Sequence, residues 1–187
     1  MDYTDVELDL QWWPGNFSLL KYPPVRRANK STYLILDFKD SKPLALEKVR
    51  HLAIQAFREI EGDLSRYTYR YLVALPRSKQ DDLNGPCEYI CSALAAKFSG
   101  LVHLKGALQR VVTVTKSATA SPGERPNYDT HLSTIEYVGP SPLHPNSVII
   151  MVDDVYTRGE TSRACRDILR AATHCKDVLG CFIGRTI

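Results

Sequence analysis

Apolar and polar positions along this chain fall into blocks with two different periods. Residues 33–38 (YLILDF) form an apolar, β-rich run that predicts a strand. From Ser41 onward, Leu46, Val49, Ala53, Ala56, Phe57 and Ile60 recur at a spacing that puts them on one face of an amphipathic helix. Residues 69–75 (YRYLVAL) are strand-like again and stop at Pro76. After the polar stretch RSKQDDLNG, Asn84 and Pro86 mark a helix start, with Ile90, Cys91, Leu94, Ala95 and Phe98 as its buried face. Gly100 ends that helix and residues 101–104 make a short strand. The run 148–152 is wholly apolar and rich in β-branched residues, which suits a central strand covered on both faces. The helix after it buries Ala164, Cys165, Ile168, Leu169 and Ala172 and turns Arg163, Arg166, Asp167 and Arg170 to solvent, and residues 178–183 return as a strand. Strand, helix, strand thus occurs at 69–104 and again at 148–183, the pattern of a parallel α/β sheet.

Two stretches lack such periodicity. Residues 1–30 hold Trp12, Trp13, Phe17 and Tyr22 among Pro14, Gly15, Pro23 and Pro24, followed by Arg26, Arg27 and Lys30, and read as an irregular arm or cap on a domain spanning 31–187. That arm has three readings: packing onto the core, a hood over a ligand, or a contact for a single nucleic-acid strand. Residues 113–145 shift to Ser, Thr, Pro, Gly and Asn, with one extended segment at 132–138, and a loop of this length inside a compact domain is functional or mobile.

Composition narrows the class more than the function. At 187 residues, 44% hydrophobic and 24% charged, the chain is sized and balanced for one globular domain. A net charge of +3 falls short of a dedicated nucleic-acid domain. No apolar run reaches the roughly 18 residues of a membrane span. The acidic opening MDYTDVELDL has no signal-peptide core, and the odd count of five cysteines suits a reducing, cytoplasmic setting. Cys87 and Cys91 stand one helical turn apart without the second pair that zinc needs, so they are assigned to the core. Asp129, His131 and Ser133 alternate as if on one strand face, but no nucleophile elbow or oxyanion signal accompanies them.

The informative chemistry lies where the run 148–152 ends. Asp153 and Asp154 sit at the C-terminal end of a predicted parallel strand, where open α/β sheets place their ligands. Neighbouring carboxylates there call for hydroxyl groups, backbone donors or a cation. Thr157, Arg158, Gly159, Glu160 and Thr161 follow and lead into a helix N-terminus, whose unpaired N–H groups and dipole favour a phosphate. Acids for sugar hydroxyls beside a phosphate cradle describe a site for ribose 5-phosphate.

Residues 148–164, VIIMVDDVYTRGETSRA, resemble the acidic-pair and TTG-type loop with which type I phosphoribosyltransferases bind 5-phosphoribosyl 1-diphosphate (PRPP). More broadly, residues 31–187 resemble the ComF-like (competence protein) branch of that family, with an early strand ending in Phe38 and Lys39, the strand YLVALP, a helix, a mobile loop and the VDDV block in the same order. Arg158 replaces the commoner second Thr, as it also does in ComF-like sequences, and the branch's R-x-x-N-V pattern has no clear counterpart in RPNYDTHLS. The resemblance implies the type I phosphoribosyltransferase fold, a central, mostly parallel sheet flanked by helices. It implies that Asp153 and Asp154 hold the ribose 2- and 3-hydroxyls beside the reacting carbon, and that residues 157–161 hold the 5-phosphate. Arg77, Ser78 and Lys79 would then hold the pyrophosphate, and a mobile loop would close over it with Lys116 or Arg125. Mg²⁺, bound mainly by ligand oxygens and water near Asp153 and Asp154, would complete a pentosyl-group glycosyltransferase acting on a nitrogenous acceptor. The same loop also serves a non-catalytic sensor of PRPP or a nucleoside monophosphate that acts through a protein partner, or a DNA-associated accessory protein using residues 12–30. A homodimer is compatible with each.

Overall fold

The computed structural model describes residues 2–23, 28–80, 82, 85–115 and 126–186. The elements run β1 (Gln11–Trp13), β2 (Asn16–Tyr22), α1 (Lys30–Lys39), α2 (Pro43–Leu64), β3 (Tyr69–Ala74), α3 (Pro86–Lys97), β4 (Leu101–His103), β5 (Leu108–Arg110), α4 (Tyr128–Thr134), β6 (Ile135–Tyr137), β7 (Ser147–Tyr156), α5 (Glu160–Thr173) and β8 (Asp177–Thr186). A six-stranded sheet has the order β1-β2-β8-β7-β3-β4, and β5 and β6 form a separate antiparallel pair. Within the large sheet every pairing is parallel except β1 with β2. The architecture is α/β, a mostly parallel central sheet flanked by helices.

Strand β7 shows how the pleat sorts the core. Val148, Ile150 and Val152 pack with residues of α1, α2 and α3, while Ile149 and Met151 pack with Cys165 and Leu169 of α5, Leu108 of β5 and Ile135 of β6. Successive side chains on a strand point to opposite faces, so a strand buried on both faces is apolar at consecutive positions. Each such large side chain contributes on the order of 1.5–3 kcal/mol by leaving water. Cys87 and Cys91 lie in the first of these two clusters, as packing residues. Among the described residues no helix is long and apolar enough to cross a membrane.

The fold departs from the sequence reading at its N-terminal end. Residues 33–38 belong to a helix, α1, rather than a strand. Asn29 caps it: its side chain accepts from the Thr32 N–H at 3.0 Å while the Thr32 hydroxyl accepts from the Asn29 N–H at 3.3 Å. Such a capping box is worth about 1 kcal/mol, and it selects the spacing in which Leu34, Ile35 and Phe38 are buried while Tyr33 and Leu36 are exposed. The sheet position between β1 and β8 is filled instead by β2, from the segment read as an irregular arm. Pro14 and Gly15 (φ 72°) make the two-residue turn of the β1–β2 hairpin, the turn pattern that needs a left-handed residue at its second position. Phe17, Leu19 and Leu20 of β2 are fully buried, so this end of the chain is part of the core.

Three further corrections concern the C-terminal half. Residues 128–134 form helix α4, capped by the Asn127 side chain accepting from the Thr130 N–H at 2.9 Å, so Asp129, His131 and Ser133 do not share a strand face. The extended segment expected at 132–138 is reduced to β6. Arg166 does not face solvent: its guanidinium donates to the Val178 carbonyl at 3.2 Å and to Asn16 Oδ1 at 2.6 Å, tying α5 to the N-terminal hairpin.

Candidate functional site

The site is built where β7 runs out and α5 begins. Continuing the β7 alternation, Asp153 falls on the α5 face with Ile149 and Met151, and Asp154 falls on the α1 face with Val148, Ile150 and Val152. Asp153 lies in an open concavity of about 120 Å³ whose lining also includes Thr157, Arg158, Gly159, Glu160, Thr161 and His131. Asp154 instead meets Lys39, at the end of α1, with Nζ 3.4 Å from Oδ1. The Asp154 N–H donates to Asp153 Oδ1 at 2.8 Å. Burial pushes the Asp153 carboxyl well above the usual range and the neighbouring Asp154 charge pushes it further, against the pull of that N–H and of Lys39. An acid in this state gains from any ligand that brings hydroxyl donors or positive charge.

Gly159 makes the loop possible. It caps α5 in the left-handed region (φ 76°), and a Cβ there would lie 2.5 Å from the Tyr156 hydroxyl. The Tyr156 ring lies across the loop and is itself held by Phe182 and Trp13, at centroid distances of 4.9 and 5.1 Å. Among the described residues no side chain caps the N-terminus of α5. The first helical carbonyl, that of Gly159, accepts from the Arg163 N–H at 2.8 Å, so the N–H groups of Glu160, Thr161 and Ser162 have no partner within the helix. Those donors and the helix dipole make the mouth of the concavity favourable to an anion.

The structure thus brings Asp153 together with all five residues expected at a phosphate. It does not place Arg77, Ser78 and Lys79 in the lining of that concavity. Their loop leaves β3 at the same sheet edge, beside β7, where Ala74 pairs with Val152. The Arg77 guanidinium is ion-paired with Asp82 at 3.0 Å, the Ser78 carbonyl accepts from the Val114 N–H at 2.9 Å, and Lys79 is exposed. Lys116 and Arg125 lie outside the described residues. Among the described residues no group of three or more His, Cys, Asp or Glu side chains is placed to hold a metal ion, and the two acids of β7 face opposite sides of the sheet.

Sequence reasoning missed four contributors. His131 lines the concavity, with Nε2 3.0 Å from Thr161 Oγ1 and Nδ1 3.2 Å from Arg110 Nη2. Burial, and then the Arg110 charge, lower its pKa to about 4. Arg110 offers no signal in the sequence, whereas the Asn127-to-Thr130 spacing, a helix N-cap pattern, would have moved His131 from a strand to a helix. Trp13 and Tyr156 are the others: they pack on each other and on Phe182, with the Arg185 guanidinium 4.3 Å above the Trp13 ring. The N-terminal hairpin therefore buttresses the loop between β7 and α5. No protein-family model and no curated protein matches the chain.

Proposed function

We propose that this chain binds a ribose 5-phosphate moiety, as PRPP, at the β7–α5 junction and transfers its phosphoribosyl group to a nitrogenous acceptor, in the manner of the type I phosphoribosyltransferases its loop resembles. The observation that carries this reading is one concavity with a carboxyl of raised pKa at one end and an uncapped helix N-terminus at the other. Asp153 suits the ribose hydroxyls, since accepting their hydrogen bonds or a nearby cation favours its ionised form. Thr157, Gly159, Glu160 and Thr161 suit the 5-phosphate, through backbone N–H groups and hydroxyls. Asp154 acts through Lys39, which keeps one carboxylate neutralised while the other serves the ligand.

In the proposed reaction the C1–O bond to the diphosphate breaks and its electron pair leaves with the diphosphate, while the acceptor nitrogen forms the new bond to C1. Positive charge develops at the ribose, where the fixed Asp153 carboxylate lowers its energy. The protein's part is positioning and electrostatics. Mg²⁺, held on diphosphate and water oxygens rather than by a protein cage, would neutralise the leaving group when bound. Arg77, Ser78 and Lys79 leave the sheet on the same edge and are the candidates for that diphosphate.

A second reading is a sensor that binds the same ligand without turnover. It is favoured by the pairing of Arg77 with Asp82, which engages the arginine of the loop after β3 in this conformation. Pyrophosphate release from PRPP and Mg²⁺ over a panel of nucleobases tests the pair: release supports the transferase, and binding without release supports the sensor. Failure to bind PRPP or a nucleoside monophosphate in a folded sample rejects both.

A further inference from the structure

Beneath the phosphate loop runs a chain of buried polar groups. Arg110, on β5, is 3% exposed, and His131, on α4, is 4% exposed. The Arg110 guanidinium donates from Nε to the Arg77 carbonyl at 2.9 Å and from Nη1 to Thr134 Oγ1 at 2.6 Å, and its Nη2 lies 3.2 Å from His131 Nδ1. Guanidinium nitrogens only donate, so His131 Nδ1 is the unprotonated acceptor of that contact. The neutral ring then carries its proton on Nε2, 3.0 Å from Thr161 Oγ1, and donates it there. The opposite tautomer would set two N–H groups head to head. Thr161 lies in the first turn of α5 and lines the concavity. With its oxygen accepting from His131, its own proton remains to be given, and among the described residues no acceptor takes it.

The geometry points to His131 as a positioning residue for the phosphate: Arg110 holds it as the Nε2–H tautomer, and it commits the Thr161 hydroxyl to donate to a phosphate oxygen of the ligand. This rests on the ribose-phosphate reading of the site. The direction of each hydrogen bond follows from the one before, beginning with a group that has no acceptor to offer. Because Arg110 also holds the Arg77 carbonyl, the loop after β3 and the loop after β7 are fastened to one buried cation.

A double-mutant cycle on His131 and Thr161, read by calorimetric titration with ribose 5-phosphate, tests this. His131→Asn keeps an acceptor where Nδ1 meets Arg110 but cannot reach Thr161, and Thr161→Val removes the hydroxyl. Each change alone is expected to weaken binding about tenfold, the scale of one hydrogen bond to a charged group, and the double variant is expected to be no weaker than either. Losses that multiply to about a hundredfold, or an unchanged affinity for His131→Asn, overturn the positioning role while leaving the ribose-phosphate site standing. A wild-type chain that does not bind ribose 5-phosphate overturns the site reading and this one together. The tautomer has its own check, independent of any variant's folding: nitrogen-15 spectra of the wild-type His131 ring should show a protonated Nε2 and a bare Nδ1, and the reverse pattern contradicts the relay.

Discussion

Lys39 and Asp154 form an ion pair, Nζ to Oδ1 at 3.4 Å, on the face of the sheet opposite the concavity that Asp153 enters. Two adjacent acids that look equivalent in sequence are therefore in different electrostatic settings. One carboxylate has a cation; the other is half-buried beside a like charge. This division of labour yields separate expectations for each residue.

Asp153→Asn should stabilise the ligand-free protein at neutral and alkaline pH. The folded-state pKa of Asp153 is raised, so the folded state holds a proton that the unfolded chain has already released above about pH 4. Stability attached to this group is present below the unfolded pKa and lost as pH rises through the folded one. Discounted for partial exposure, removing the charge is worth about 1–2 kcal/mol, or roughly 3–8 °C in Tm. Thermal unfolding at pH 8 reads this, with little difference expected at pH 4; a variant that melts lower than wild type at pH 8 contradicts it.

His131 predicts the opposite slope. Its folded pKa is lowered to about 4 from 6.5, so on acidification through that window the unfolded chain takes up a proton that the folded chain refuses. Stability should fall between pH 6.5 and pH 4 by at most about 3 kcal/mol from this group. Denaturant midpoints for the wild type and His131→Gln across the window give the contribution by difference. Parallel curves for the two proteins would falsify the assignment.

Gly159→Ala should damage both fold and site. The residue must hold φ 76° with Tyr156 packed against it, and alanine there costs roughly 1–2 kcal/mol in backbone strain before any rearrangement of Tyr156. Loss of affinity for ribose 5-phosphate of about tenfold or more should accompany a lower Tm. Retained affinity in a destabilised variant would separate the loop's shape from phosphate binding.

The loop after β3 is tested by contrast between two ligands. Arg77→Ala with Lys79→Ala alters an exposed ion pair and an exposed amine, so stability should change by no more than about 0.5 kcal/mol. Affinity for PRPP should drop while that for ribose 5-phosphate, which lacks the diphosphate, stays level. Equal effects on both ligands would remove these residues from the diphosphate.

What was legible in the sequence divides along physical lines. The β7 and α5 elements announce themselves because a doubly buried strand is uniformly apolar and the following helix has a regular buried stripe. The loop between them could be read since its glycine, hydroxyls and acids are local in sequence. Residues 16–22 were missed because Asn16, Ser18 and Lys21 interrupt the apolar run, although the sheet buries Asn16 and Ser18. Residues 33–38 misled because an apolar, aromatic-led run satisfies strand propensity, and only the Asn29 cap decides for helix. Lys39 was read at the end of a strand, yet the helix delivers it to the same edge of the sheet, beside Asp154. Arg110 and His131 lie 43 and 22 residues before Asp153 by their numbering, and their meeting with Thr161 depends on β5 and α4 packing beneath α5, which no local pattern records.

The central claim is the ribose-phosphate site at the end of β7, and calorimetric titration with PRPP and Mg²⁺ of the wild type, Asp153→Asn and Asp154→Asn tests it most directly. Saturable one-to-one binding is expected for the wild type. Asp153→Asn should lose about 10- to 100-fold, the cost of replacing a charged hydrogen-bond acceptor, and Asp154→Asn, whose carboxylate is turned toward Lys39, should lose less. Wild-type affinity in folded Asp153→Asn, or no binding by the wild type, would contradict the account.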